Sequence, residues 1–117
     1  MKLKVKRYKK IKSTNDIALS LIKKNISQPT LITTEIQTKG RGRVGKKWIS
    51  KKGNLFISIL FKFDQKKINF KQFAILNAFL LSKVISKITS KKIKIKWPND
   101  LLYNEKKLCG ILQEVVK

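Results

Sequence analysis

EIQTKGRGRVGKKWISKKG, residues 35–53, decides how this sequence folds, because it gathers glycine, arginine and a tryptophan between two strand-like segments. Three of the five glycines, Gly40, Gly42 and Gly45, fall within six residues. Glycine lets successive backbone N–H groups turn inward around a negative group. Lysine outnumbers arginine 26 to 3, yet two of the three arginines, Arg41 and Arg43, stand here. A planar, forked donor in a chain so biased toward lysine is a chemical choice for carboxylate or phosphate. The stretch therefore reads as an anion-binding loop, although GRGR alone is equally the composition of a flexible basic hairpin.

The flanking segments set the frame. TLITTEIQ, residues 30–37, is rich in β-branched side chains and predicts a strand that delivers Gln37 to the edge of the loop. NLFISILFKF, residues 54–63, is so strongly apolar that a central strand covered on both faces is expected. Further upstream, LKVKRY (3–8) alternates apolar and basic residues, as an edge strand guarded by lysines would. STNDIALSLIKKN (13–25) offers several caps ahead of Ile17, Leu21 and Ile22, which predicts a helix from Asn15 to Lys24. Ser13, Thr14 and Asn15 crowd its start, where hydroxyls and unpaired N–H groups either cap the helix or hold a polar ligand.

Downstream, Asp64 to Asn69 reads as a turn. Residues 70–89 repeat apolar side chains at Phe70, Phe73, Ala74, Leu80, Leu81, Val84, Ile85 and Ile88, the pattern of a long amphipathic helix with Asn77 as its polar misfit. KIKIKW (92–97) alternates like a strand that Pro98 stops. Leu101–Tyr103 and Leu108–Val116 can pair as a hairpin around Asn104–Lys106. The order predicts one α+β (α/β-like) domain, a mixed β-sheet packed with helices.

Composition narrows the chemistry. The 117 residues suit a single domain. The absence of histidine and the single cysteine exclude His-based metal sites, Ser-His-Asp triads and disulfide frameworks. Cys109, inside the apolar run LCGIL, reads as a small buried hydrophobe rather than a nucleophile. No apolar run approaches bilayer length, so a cytoplasmic protein without a membrane partner is expected. The formal charge of +23 invites a polyanion-binding reading. The lysines, however, run from Lys2 to Lys117 without clustering, and the aromatic residues lie mostly inside apolar runs. Bias in amino-acid usage accounts for that dispersion, and no specific nucleic acid is expected.

Three separated signatures then converge: STN at 13–15, EIQTKGRGRVGKKWISKKGNLFIS at 35–58 and KWPNDLLYNEKKLCGILQE at 96–114. Together, in order and spacing, they resemble the catalytic domain of biotin–protein ligases, the biotin–[acetyl-CoA-carboxylase] ligases, over nearly the whole chain. The resemblance implies a class II synthetase-like fold and a two-step reaction. Biotin and ATP, with magnesium, give biotinyl-5′-AMP and pyrophosphate; the acyl group then passes to a lysine of the biotin carboxyl carrier protein of acetyl-CoA carboxylase.

Position by position, the resemblance implies that Lys107 reaches the biotin carboxylate and the α-phosphate, making it the first catalytic candidate. Arg41 and Arg43 match the loop arginines over biotin and the adenylate, while Gly40 and Gly42 allow close backbone approach. Ser13, Thr14, Asn15 and Gln37 match the ureido end of the biotin pocket, and Gly110 also lines it. Trp48 resembles the aromatic on adenine, though a loop tryptophan is also a common lid over a core. Lys96 and Asn99 fall on the nucleotide side, with Asp100 as magnesium contact; Asn99 and Asp100 are equally turn formers after Pro98.

Val44 and Lys46 depart from the arginines usual in the loop, and Lys51 and Lys52 from its Ser-Pro region. The resemblance further implies that residues 1–117 are the N-terminal portion of the catalytic domain, without a DNA-binding domain before it and without the C-terminal part and small β domain after it. Such a portion would expose an apolar sheet face, and a homodimer through a sheet edge is one expected consequence. Lipoate–protein ligase, which shares fold and adenylate chemistry, is the alternative enzyme; a non-catalytic basic polyanion-binding fragment is the alternative outside enzymes.

Overall fold

The strand Thr30–Arg41 is the spine of the first half of the molecule, because its twelve residues are long enough to pair with three other strands. The computed structural model describes residues 2–117. In chain order the elements are β1 (Lys4–Ile11), α1 (Thr14–Lys23), β2 (Thr30–Arg41), a 3-10 turn (Arg43–Gly45), β3 (Lys47–Ser50), β4 (Phe56–Leu60), α2 (Phe70–Thr89), β5 (Lys94–Lys96), β6 (Asp100–Tyr103) and β7 (Lys106–Gly110). They form two compact units, one running up to Phe63 with Val116–Lys117, the other Asp64–Val115.

In the first unit β1 lies parallel to β2, a pairing that needs a crossover connection, and α1 supplies it. β4 runs antiparallel to the first half of β2, from Thr30↔Leu60 to Thr34↔Phe56. β3 returns along the second half, from Gln37↔Ser50 to Arg41↔Lys47. The sheet is thus mixed, as expected. Leu21 of α1, Ile32 of β2 and Leu60 of β4 are buried together, with Tyr8, Ile11, Ile17, Ala18 and Ile22 packed on them. The Ser13 side chain caps α1 by accepting from the Asp16 N–H at 3.3 Å. Asp16 in the first turn and Lys23 in the last suit the helix dipole. The helix ends where Asn25 adopts a left-handed φ of 60°.

In the second unit β5, β6 and β7 form a separate antiparallel sheet, where one continuous sheet was expected. α2 occupies the predicted residues and begins with a capping box: the Asn69 side chain accepts from the Gln72 N–H, and the Gln72 side chain accepts from the Asn69 N–H. Asn77, the polar misfit, donates to the Gln113 side chain at 2.8 Å, and Gln113 donates to the Phe70 carbonyl at 3.0 Å. The Trp97–Pro98 peptide is cis.

Four expectations need correction. The apolar run at 54–63 forms only the five-residue β4, which pairs with β2 alone, so it is an edge and not a central strand. Its burial alternates: Phe56, Ser58 and Leu60 are buried, whereas Ile57 and Ile59 are 42% and 56% exposed. The glycine-rich stretch is mostly a hairpin, because β2 continues through Gly40 and Arg41 and β3 pairs back on them. The expected face of α2 is only partly covered. Ala78 and Ser82 are the buried positions, and Leu80, Val84 and Ile88 are exposed, because a three-stranded sheet of short strands is too narrow to cover so apolar a helix.

Finally, β7 spans Lys106–Gly110 and not 108–116. Its partner β6 starts at Asp100, so the ladder ends at Asp100↔Gly110. Asn104 and Glu105, both at positive φ, make a two-residue turn between Tyr103 and Lys106. β5 is likewise limited to Lys94–Lys96 by the length of β6.

Ile32 and Leu101 are fully buried, one in each unit. Truncation to alanine at either is expected to cost about 2–5 kcal/mol, a large share of a small domain's stability. Ile57→Ala on the open face of β4 is expected to cost under about 1 kcal/mol. Urea unfolding of the three variants compares these losses directly, and equal losses at Ile32 and Ile57 would contradict the described core.

Candidate functional site

Gln37 faces the start of α1, where its side-chain amide is used at both ends. Its Oε1 accepts from the Thr14 backbone N–H at 2.9 Å and from the Thr14 hydroxyl at 3.2 Å. Its Nε2 donates to Ser50 Oγ at 3.0 Å, and Ser50 donates in turn to the Trp48 carbonyl at 2.9 Å. Ser58 Oγ lies 2.7 Å from Thr14 Oγ1 and also bonds the Asn15 amide. Ser13, Thr14, Ser50 and Ser58 are all buried. Ser58 carries one hydroxyl proton and faces two acceptors, Thr14 Oγ1 and Asn15 Oδ1, so it donates to one of them at a time.

This net is possible because Gly40 has no side chain. A Cβ there would stand 2.5 Å from Ser50 Oγ, 2.6 Å from the Trp48 carbonyl and 2.9 Å from Gln37 Nε2. The pairing slips by one residue between Gln37 and Gly40, and at that bulge the Lys39 N–H leaves the hairpin to donate to the Lys12 carbonyl at 2.8 Å. Gly42 is less crowded, with a virtual Cβ 3.3 Å from a ring carbon of the half-buried Trp48. Its N–H closes the turn on the Lys46 carbonyl at 2.7 Å.

The two arginines differ. Arg41 donates through Nε and Nη2 to Asp16 Oδ1, at 3.1 and 2.8 Å. Arg43 is exposed in the 3-10 turn. Val44 follows at φ 55°, a left-handed conformation unfavourable for a β-branched residue, and is 95% exposed.

The remaining candidates lie in the second unit. Lys107 Nζ is 3.4 Å from Asp100 Oδ1. Lys96 pairs opposite Asp100, and Gly110 opposes it from the other side. β7 holds one extra residue, Leu108, between Lys107↔Leu102 and Cys109↔Leu101, a bulge of the kind that re-aims side chains. Asn99 clasps the segment after β7: its side chain donates to the Ile111 carbonyl, and its own carbonyl accepts the Ile111 N–H at 3.0 Å. Burial pushes the Cys109 thiol above its ordinary value, the Asp100 carboxylate adds to the rise, and Lys107 opposes it.

Among the described residues no group of three or more acidic or thiol side chains could hold a metal. Asp100 is a single carboxylate beside an ammonium, so these donors do not make a protein-held magnesium site. No helix of the described residues is long and apolar enough to cross a membrane.

Residues 8–117 match the model of the biotin/lipoate A/B protein ligase family. The chain belongs to this family. The bifunctional ligase/repressor BirA of Escherichia coli strain K12 is 36% identical over 106 residues, which make up 90% of this chain and 33% of that protein. Biotin protein ligase from Aquifex aeolicus in complex with biotin and ATP superimposes with a TM-score of 0.83 at 35% identity, over 97% of this chain and 47% of that one. Biotin acetyl coenzyme A carboxylase synthetase from Helicobacter pylori with bound biotinylated ATP gives 0.87 at 28% identity, over 99% and 56%. This biotin/lipoate ligase family chain therefore spans about a third of the curated relative and about half of the solved chains.

Within the family chain, the fold joins Ser13, Thr14, Asn15, Gln37 and Gly40 in one place, with Arg41 tied to the same turn of α1. It gathers Lys96, Asn99, Asp100, Lys107 and Gly110 on the second sheet. Sequence reasoning missed Asp16, Ser50 and Ser58. Ser58 had a signal: it shares the inward face of β4 with Phe56 and Leu60, and a serine among such residues marks a polar contact in the core.

Two outcomes follow for this ligase-family chain. Gly40→Ala forces apart the Gln37–Ser50 link and is expected to cost roughly 1–3 kcal/mol, with faster hydrogen exchange across β3, whereas Gly42→Ala perturbs it less. Alkylation of Cys109 is expected to rise at a higher pH than for a free thiol. Removing the Asp100 charge with Asp100→Asn lowers that midpoint and Lys107→Ala raises it; shifts of the opposite sign would contradict the electrostatics described.

Proposed function

We propose that this chain takes part in activating biotin with ATP to biotinyl-5′-AMP, as a portion of a biotin–protein ligase catalytic domain. The observation that carries the proposal is the union of the STN turn with Gln37, residues 14 and 37 being 23 apart in sequence and in hydrogen-bond contact in the fold. The family match and the likeness to solved chains holding biotin with ATP, or biotinylated ATP, support it.

In the proposed reaction a biotin carboxylate oxygen attacks the α-phosphorus of ATP, the bond from that phosphorus to the bridging oxygen breaks, and pyrophosphate leaves. Both partners are anions, so fixed positive charge must lower the cost of their approach and meet the charge on the phosphoryl oxygens. Arg41, Arg43 and Lys107 are the side chains proposed for that work, with Ser13, Thr14, Asn15 and Gln37 proposed to bind the ureido end of biotin and Gly40, Gly42 and Gly110 proposed as further biotin contacts. Trp48, Lys96 and Asn99 are proposed on the nucleotide side. Magnesium enters only as the counter-ion of ATP, with Asp100 the carboxylate proposed to face it. In the second step the ammonium-derived amine of a carrier lysine attacks the acyl carbon and AMP leaves. A biotin carboxyl carrier protein is the proposed acceptor, in keeping with the carboxylase named for the Helicobacter pylori relative.

The test is biotin-dependent exchange of labelled pyrophosphate into ATP by the purified chain, with calorimetric titration of biotin beside it. Loss of roughly 10²-fold or more in exchange is expected for Lys107→Ala and Arg43→Ala. Exchange driven by lipoate and not by biotin would move the chain to the other branch of the family. The absence of both biotin binding and exchange in folded protein would refute the proposal.

A further inference from the structure

We infer that Asp16 is a positioning residue of this site: its carboxylate holds the Arg41 guanidinium against the first turn of α1, so that Arg41 meets an anionic substrate in one fixed orientation. The inference rests on the proposed biotin activation. Its starting point is geometric. One oxygen, Oδ1, accepts from both Nε and Nη2 of Arg41, at 3.1 and 2.8 Å. Two donors from one rigid plane converging on one atom fix the direction of that plane, which a single contact to a lysine ammonium would not.

The composition makes the pairing selective. The chain has six acids against 29 basic residues, and one of those acids is committed to one of only three arginines. The other acid of the first unit, Glu35, lies 3.8 Å from Lys52. Stability does not explain the Asp16 pair: its side chains are 32% and 45% exposed, and ion pairs so exposed contribute little to folding. Orientation does explain it. The same first turn of α1 holds Gln37 through Thr14, so residues 14 and 16 of one helix fix residues 37 and 41 of one strand. Asp16 also sits in the first turn, where the helix dipole favours its negative charge and keeps the brace in place. Arg43 has no such brace: among the described residues no hydrogen bond or ion pair of its side chain is present. The two arginines therefore divide the work, Arg41 orienting the bound carboxylate and Arg43 arriving as charge develops.

The experiment uses the full chain with Asp16→Asn, Asp16→Glu and Arg43→Ala. With three arginines, the Nε–H groups are resolvable by nitrogen-15 NMR, and that of Arg41 is expected to exchange slowly in the wild type, quickly in Asp16→Asn and slowly again in Asp16→Glu. Biotin is then titrated calorimetrically, and pyrophosphate exchange is measured for KM and kcat. Asp16→Asn is expected to weaken biotin binding and raise its KM by about tenfold with unfolding unchanged and kcat largely kept, with partial recovery in Asp16→Glu. Arg43→Ala should lower kcat instead. Biotin binding in Asp16→Asn as tight as in the wild type, or tighter, would overturn the inference alone, the tighter case showing Asp16 to compete with substrate for Arg41. A wild-type chain that binds no biotin would overturn both this inference and the activation it rests on.

Discussion

A half-buried side-chain amide must find partners for its oxygen and its nitrogen at once, and much of the first unit is arranged to supply them to Gln37. The oxygen takes the N–H of Thr14, one of the helix-start donors that have no partner within the helix itself. The nitrogen gives to Ser50, on the strand that returns from the glycine turn. One side chain on β2 thereby ties the start of α1 to the end of β3. The hairpin can close over that amide only where no Cβ intervenes, which is the physical demand on Gly40. Gly45, with open space around it, answers a different demand, a positive φ of 68° in the turn.

Local chemistry was legible in the sequence, and partner-dependent structure was not. The two helices start within a residue of where the caps ahead of Ile17 and the apolar repeat from Phe70 placed them, and capping by Ser13 and Asn69 is decided within four residues. Strand lengths depend on what each strand meets. β7 stops at Gly110 because β6 begins at Asp100, a fact carried by neither segment alone. The apolar run around β4 indicated burial on both sides, but apolar composition cannot state whether a second layer is present, and Ile57 and Ile59 remain open. In the site, the residues legible as a family signature were the STN turn, Gln37 and the glycines. Ser50 and Ser58 became legible only when the pleat showed which way they point, and Asp16 only when the fold brought it to Arg41 across 25 residues.

The charge of +23 is a separate matter from the site. Lysines on β1 and along α2 lie on exposed faces and edges, where a flexible, strongly hydrated ammonium aids solubility and blunts edge pairing without fixing any ligand. The specific contacts are made instead by scarce residue types. One of the three arginines, Arg41, the hydroxyls of Ser13, Thr14, Ser50 and Ser58 and a single glutamine, Gln37, form the ordered net and its rim. A lysine gains a defined role in this chain only where a carboxylate or a pocket singles it out.

Lys107 is such a case. Its partner Asp100 is three-quarters buried, whereas Lys107 is half exposed, and the 3.4 Å separation is longer than a close charge-assisted hydrogen bond. A half-exposed pair of this kind contributes little to folding, so its presence is not explained by stability. Asp100 stands beside a thiol whose ionisation it opposes and Lys107 favours. The Lys107–Asp100 pair and the half-buried thiol beside it thus form one electrostatic unit on the second sheet, in which the charge of either partner shifts the ionisation of Cys109.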